Sequence, residues 1–206
     1  KGSLILKQEN IIDFYSLTKQ QVGLINNYLN SLKLTNNKLN LVGSSTLINS
    51  WDRHINDSLQ LSEYIPNKNS TIIDLGTGAG IPGVVLAIYG YKRILVVDSK
   101  FKKINFIRNF ADNNKVKINI ICSRVENIKN IKFDFIISRA FAPLPRILNY
   151  SLLFCKTNTS LLFLKGRSVK REIQDAKKYF KFHHKLFSSK SHGGGFVLQI
   201  NKLIKI

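Results

Sequence analysis

The chain has 206 residues, 44% of them hydrophobic, and carries 32 Lys and Arg against 12 Asp and Glu, a net charge of +20. That length suits one full domain with a substantial extension, and no apolar run approaches the roughly 20 residues of a membrane span. The positive excess points to a polyanionic partner, nucleic acid before an anionic membrane surface, although a composition rich in Lys, Asn and Ile accounts for part of it.

Residues 1 to about 65 read as helical and polar, with Ile25, Leu29 and Leu32 at helical spacing and Ile55, Leu59 and Leu61 following it more loosely. At the very start, Leu4-Ile5-Leu6 is too short an apolar region for a secretory signal. Asn36 to Thr46, with its several Asn and Ser residues, reads as a loop. From about residue 70 strands and helices alternate. Strands are expected at 71–75, 93–97, 117–122, 133–138, 160–165, 181–187 and 196–200, and helices at 82–90, 100–113, 143–154 and 169–180. Continuous apolar strands separated by helices imply a mostly parallel α/β sheet covered on both faces. No helical pattern separates the last two strands, so they form a hairpin through Gly193-Gly194-Gly195, and the final strand is antiparallel. The expected organisation is a helical extension over 1–65 packed on a core domain over 66–206.

The run Ile72-Ile73-Asp74-Leu75-Gly76-Thr77-Gly78-Ala79-Gly80-Ile81-Pro82-Gly83 carries the chemistry. An apolar strand ends in an acid, glycines turn the backbone where a ligand must approach without a Cβ in the way, and a helix begins. Asp98, at the end of the apolar run Ile94–Val97, would arrive beside this loop and accept hydrogen bonds from ribose hydroxyls. Gly78-x-Gly80-x-x-Gly83 matches the dinucleotide fingerprint. The pattern begins earlier, however, at Gly76, and Asp74 suits the ammonium of a methionine group while repelling a pyrophosphate. The reading is therefore a site for S-adenosylmethionine. A nicotinamide-dependent oxidoreductase is the alternative, and both Tyr-x-x-x-Lys spacings precede the first strand, which counts against it. An RNA-binding module with a vestigial cofactor site is a third possibility. Cys122 and Cys155 fit buried thiols in a reducing cytosol, and no Cys/His spacing suggests zinc.

Seven motifs in order give a specific resemblance: Asn36-x-x-x-Asn40-Leu41, Arg53-His54-Ile55-x-Asp57-Ser58-Leu59, the glycine loop ending Gly80-Ile81-Pro82-Gly83, Val97-Asp98-Ser99 with Lys102-Lys103 and Phe106-Ile107-Arg108, Ser123-Arg124-Val125-Glu126, Ser138-Arg139-Ala140 and Leu164-Lys165-Gly166. With these the chain resembles the bacterial small-subunit ribosomal RNA guanine-N7 methyltransferases, the glucose-inhibited division protein B family. The resemblance implies a Rossmann-like class I methyltransferase sheet. It also implies methylation of guanine N7 in 16S ribosomal RNA, free or in the small ribosomal subunit, by a cytoplasmic enzyme. By it, Gly76 and Ile81 contact the cofactor, Val125 and Glu126 flank the adenine, and Arg139 lies beside the cofactor. From its place after strand 133–138, holding an RNA phosphate and donating to the guanine O6 are alternative roles for Arg139. The physical argument adds Gly78 and Asp98. No metal is expected, and a monomer is.

Guanine N7 bears no proton, so no general base is required and none is assigned. His54, after an arginine on a helix, reads first as a structural hydrogen-bonder and second as an RNA contact. Lys165 and Arg167, ending the fifth strand, are phosphate candidates. Phe141 reads as core packing before base stacking. His183, His184 and His192 read as surface or packing residues.

Overall fold

The computed structural model describes residues 5–206; Leu4 of the short apolar start lies outside the described residues. Seven strands form one sheet in the order β3-β2-β1-β4-β5-β7-β6. They are β1 (Thr71–Leu75), β2 (Arg93–Asp98), β3 (Asn119–Cys122), β4 (Phe133–Arg139), β5 (Cys155–Lys165), β6 (Phe180–Ser188) and β7 (Phe196–Lys205). Strands β1 to β5 pair in parallel, and β7 runs antiparallel to both β5 and β6. The apolar runs expected to be central strands are central. Ile72, Ile73, Leu161, Leu162 and Phe163 are fully buried, as strands covered on both faces must be.

Helices precede and interleave the strands: α1 (Gln8–Phe14), α2 (Lys19–Leu39), a short turn α3 (Asp57–Leu59), α4 (Gly83–Tyr89), α5 (Phe101–Asn114), α6 (Leu144–Ser151) and α7 (Val169–Ala176). Helix α2 starts at a capping box, in which Thr18 and Gln21 satisfy each other's backbone N–H groups. Its buried face repeats at Ile25, Tyr28, Leu29 and Leu32. Each such side chain contributes roughly 1.5–3 kcal/mol on burial, which makes this face the anchor of the helix on the sheet. The Tyr28 hydroxyl donates to the Ala79 carbonyl at 2.8 Å, so α2 braces the glycine loop from behind. The segment before β1 thus shares one core with Val84, Ile104 and Phe106.

Three local expectations are corrected. Asn36 to Thr46 is not all loop, because α2 continues to Leu39 and ends on Asn40 in the left-handed conformation. Asn36 is buried, and its side-chain carbonyl accepts from the Val42 N–H at 2.8 Å, so the polar residue that suggested a turn closes the helix end instead. Trp51–Asn56 winds as a π-helix ahead of α3, and Gln60–Tyr64 follows as a 3₁₀ turn. Periodicity cannot distinguish such a widened turn from an α-helix. Cys122 and Cys155, expected as buried thiols, are both half-buried.

Candidate active site

Strands β1, β2 and β4 all end at the same edge of the sheet, where open parallel sheets bind ligands. After β1 the chain enters the glycine loop, with φ of 65° at Gly76, 60° at Gly78 and 96° at Gly80. These left-handed values are those at which a side chain costs about 1 kcal/mol or more. At Gly76 the need is also spatial, since a Cβ there would lie 2.0 Å from Cδ2 of Phe141.

Asp74 holds this loop from inside. Its Oδ2 accepts from the Thr77 hydroxyl at 2.6 Å and the Gly83 N–H at 2.9 Å, and its Oδ1 has no partner among the described residues. The residue is wholly buried, and burial raises its carboxyl to about 7 against the pull of those two hydrogen bonds. The sequence placed this acid toward a methionine ammonium; its burial and its two loop bonds instead make it the brace of the turn.

Asp98 sits one strand over. Its Oδ2 accepts from the Gly78 N–H at 3.0 Å and its Oδ1 from the Lys100 N–H at 2.9 Å. A cleft of about 280 Å³ opens beside it, lined by Gly76, Asp98, Val125, Glu126, Phe141 and Tyr150 among others. Val125 gives this cleft an apolar wall, and at the rim the Tyr150 hydroxyl donates to Glu126 Oε1 at 2.9 Å. Four of the residues expected at a cofactor, Gly76, Asp98, Val125 and Glu126, therefore meet in one place. Gly78 joins them through its bond to Asp98. Ile81 does not: it is buried in the core with Ala79 and Val84 and is absent from the cleft lining.

Arg139 faces a second cleft, of about 300 Å³, whose lining includes Arg53, His54, Asp57, Arg139, Lys165 and Phe196. Ala140 lines the second cleft and Phe141 and Ala142 line the first, so this short stretch separates the two, and all three residues border a shallow depression between them. Ala140 has φ of 50°, an uncommon value for a residue with a Cβ. That bend sets Arg139 on one side and Phe141, packed against Tyr150 at 5.9 Å, on the other.

The guanidinium of Arg139 is fixed by the π-helix and α3. Its Nη1 donates to the Arg53 carbonyl at 2.9 Å and lies 3.4 Å from Asp57 Oδ2, and its Nη2 is 3.1 Å from His54 Nδ1. Arginine can only donate, so Nδ1 accepts and the imidazole proton sits on Nε2. The Nε2–H meets Thr46 Oγ1 at 3.0 Å, whose own proton goes to the Gly43 carbonyl at 2.6 Å. Burial, with Arg139 and then Arg53 close by, pulls His54 down to about 3. This imidazole is neutral, and its lone pair is already taken.

Lys165 is not available as a phosphate ligand. Its ammonium, only 8% exposed, is bound to Glu172 at 2.8 Å and to the Ala142 carbonyl at 3.0 Å. Arg167 is exposed, beside the Gly193–Gly195 turn. His183 and His184 lie on the edge strand β6, whereas His192 lines the second cleft and was undervalued. Asp57 belongs to the Arg53–Leu59 motif, whose spacing assigns it no role. Its convergence with Arg139, Ser189 and Ser191 is tertiary.

A seven-stranded sheet in this order with β7 reversed, and a glycine-loop cleft at its carboxyl edge, define a class I methyltransferase rather than a dinucleotide-binding fold. Solved structures agree on the fold. The O-methyltransferase from Bacillus cereus, in complex with SAH, matches with a TM-score of 0.58 at 16% identity over 85% of this chain and 90% of that one. The ribosomal protein L11 methylase from Lactobacillus delbrueckii subsp. bulgaricus matches at 0.56 and 19% identity, over 70% and 75%. Residues 21–195 match the family described as rRNA small subunit methyltransferase G, and the chain belongs to that family. The ribosomal RNA small subunit methyltransferase G of Orientia tsutsugamushi (strain Ikeda) is 37% identical over 93% of this chain and 98% of its own length. Its namesake from Rickettsia prowazekii is 37% identical over 87% and 93%.

Proposed function

We propose that this chain uses S-adenosylmethionine to methylate N7 of a guanine in 16S ribosomal RNA. The observation that carries the reading is the cleft formed by the glycine loop, Asp98 and Val125–Glu126 at the carboxyl edge of the sheet, in a member of this family.

The lining fits such a cofactor. Each oxygen of Asp98 accepts one backbone N–H and retains a lone pair for a ribose hydroxyl. Val125 offers an apolar surface to a purine, and Glu126 an acceptor for its amino group. When bound, the cofactor supplies a methyl group on a sulfonium: the N7 lone pair takes the methyl, the bonding pair stays with sulfur, and no proton has to leave.

The protein's task is then alignment and desolvation. His54 suits this, since a neutral imidazole already accepting from Arg139 serves as a positioning residue and not as a base. Arg139 is held by three partners, Arg53, His54 and Asp57, on the wall of the second cleft. Arg167 is exposed, which supports its reading as an RNA phosphate contact. No helix among the described residues is long and apolar enough to cross a membrane. We assign the protein to the cytoplasm as a monomer, with residues 1–65 as a helical extension on the core domain 66–206.

Incubation with methyl-labelled donor and undermethylated 16S RNA or small subunits, followed by nucleoside analysis, tests the reading. Label in 7-methylguanosine is expected. Label in a pyrimidine, or in no nucleoside, overturns it.

A further inference from the structure

The second cleft holds a donor and an acceptor whose hydrogen-bonding capacity the chain itself does not fill. Among the described residues, the Nε–H of Arg139 and the second N–H of its Nη2 have no partner, because its bonds are to Arg53, Asp57 and His54. Asp57 Oδ1 is occupied by Gln60 at 2.9 Å and Ser191 at 2.9 Å, while Oδ2 has only the long contact to Arg139 at 3.4 Å. Both side chains line the cleft and are largely withdrawn from solvent, at 21% and 14% exposure. Ala140, Leu164 and Phe196 add apolar surface. A volume of about 300 Å³ lies at the lower end of the roughly 300–1,000 Å³ of small-ligand sites.

We propose that this cleft receives the target guanine, extruded from its RNA, and that Arg139 and Asp57 read its Watson–Crick edge while N7 faces the cofactor cleft. The assignment rests on the methyltransferase reading above. Guanine presents an acceptor, O6, beside a donor, N1–H. A guanidinium next to a carboxylate complements that pair, and adenine reverses it, setting an amino group against the guanidinium. Enzymes that act on a single base commonly read an extruded base by this edge. Reading it here leaves the N7 lone pair unmasked on the adjacent Hoogsteen edge, on the side of Ala140, Phe141 and Ala142 and the cofactor cleft beyond them. His54 has its part through Arg139, whose orientation it sets. A fixed polar pair facing the wrong base is left unpaired in a desolvated site, which is how hydrogen-bonding sites reject analogues.

The test varies the substrate first, so that protein folding is not in question. Undermethylated small-subunit RNA is prepared with guanosine, inosine or 2-aminopurine at the target position and assayed with the full chain and labelled donor. Inosine keeps O6 and N1–H, whereas 2-aminopurine lacks both. Inosine is expected to react within a few-fold of guanosine, and 2-aminopurine roughly 100-fold or more slowly in kcat/KM. Asp57→Asn is expected to lower guanosine methylation by roughly 10- to 100-fold and to narrow the gap to 2-aminopurine, with S-adenosylhomocysteine affinity by calorimetry retained. Equal rates for guanosine and 2-aminopurine, or an unchanged ratio in Asp57→Asn, overturn this proposal alone. A wild-type chain that methylates no guanosine N7 overturns the underlying reading and this proposal with it.

Discussion

Gly76→Ala is the sharpest test of the cofactor cleft's construction. Gly76 has φ of 65°, so an alanine there carries left-handed strain of roughly 1–2 kcal/mol. Its Cβ would also lie 2.0, 2.4 and 2.7 Å from three carbons of the Phe141 ring. Restoring an ordinary contact of 3.4 Å means moving the nearest carbon by about 1.4 Å (3.4 less 2.0). The ring cannot retreat freely, because Tyr150 packs against it at 5.9 Å. Overpacking of this kind costs roughly 1–3 kcal/mol, for an expected total of about 2–5 kcal/mol. Urea unfolding of Gly76→Ala, Phe141→Ala and the double variant separates the two parts. Truncating Phe141 should relieve the overpacking and leave the backbone strain, a coupling of roughly 1–3 kcal/mol. Gly76→Ala should also weaken S-adenosylhomocysteine binding, since the displaced ring lines the cleft. Additive effects of the two substitutions would refute the reasoning, as would a Gly76→Ala cost below about 1 kcal/mol.

Four further outcomes are expected. Burial raises the folded-state pKa of Asp74 to about 7, so its contribution to stability is complete below about pH 4 and is lost as pH rises toward 7; Asp74→Asn should remove that decline from a stability–pH curve, and an unchanged slope would contradict it. His54 is depressed to about 3, so the opposite sign applies: the unfolded chain takes up the proton first, and stability falls as pH drops below about 6.5. The two groups oppose each other between pH 4 and 6.5, so His54→Asn, which keeps an acceptor for Arg139, should flatten the acid limb while retaining more activity than His54→Ala. Glu172 accepts from Lys165, Ser168 and the Leu144 N–H, so Glu172→Ala should destabilise by about 3 kcal/mol with the largely buried Lys165 left unpaired. Arg167→Ala should instead leave stability intact and reduce the salt dependence of RNA binding by about one phosphate contact; equal effects of the two on RNA affinity would erase the distinction.

Much of this protein was legible in one dimension. Apolar runs of strand length at 71–75 and 93–97, the glycines from Gly76 to Gly83 and the missing helix before β7 report local periodicity and backbone freedom, which neighbouring residues alone set. They were enough to specify the sheet, its reversed strand and the edge at which a ligand sits. The meeting of Gly76, Asp98, Val125 and Glu126 followed from that, because each stands at the carboxyl end of its strand.

What escaped was decided by contacts between distant segments. Lys165 reads as a free cation until α7 brings Glu172 to 2.8 Å. Asp74 reads as a ligand acid until the loop folds over it and spends one oxygen on Thr77 and Gly83. His54 reads as a structural hydrogen-bonder, but its partner, Arg139, lies 85 positions along the chain and only the fold brings it to the ring. Composition and spacing establish which groups are present and on which element. Whether a charge is spent in the interior or left for a ligand depends on desolvation and on a partner's position, and only the packed chain determines those.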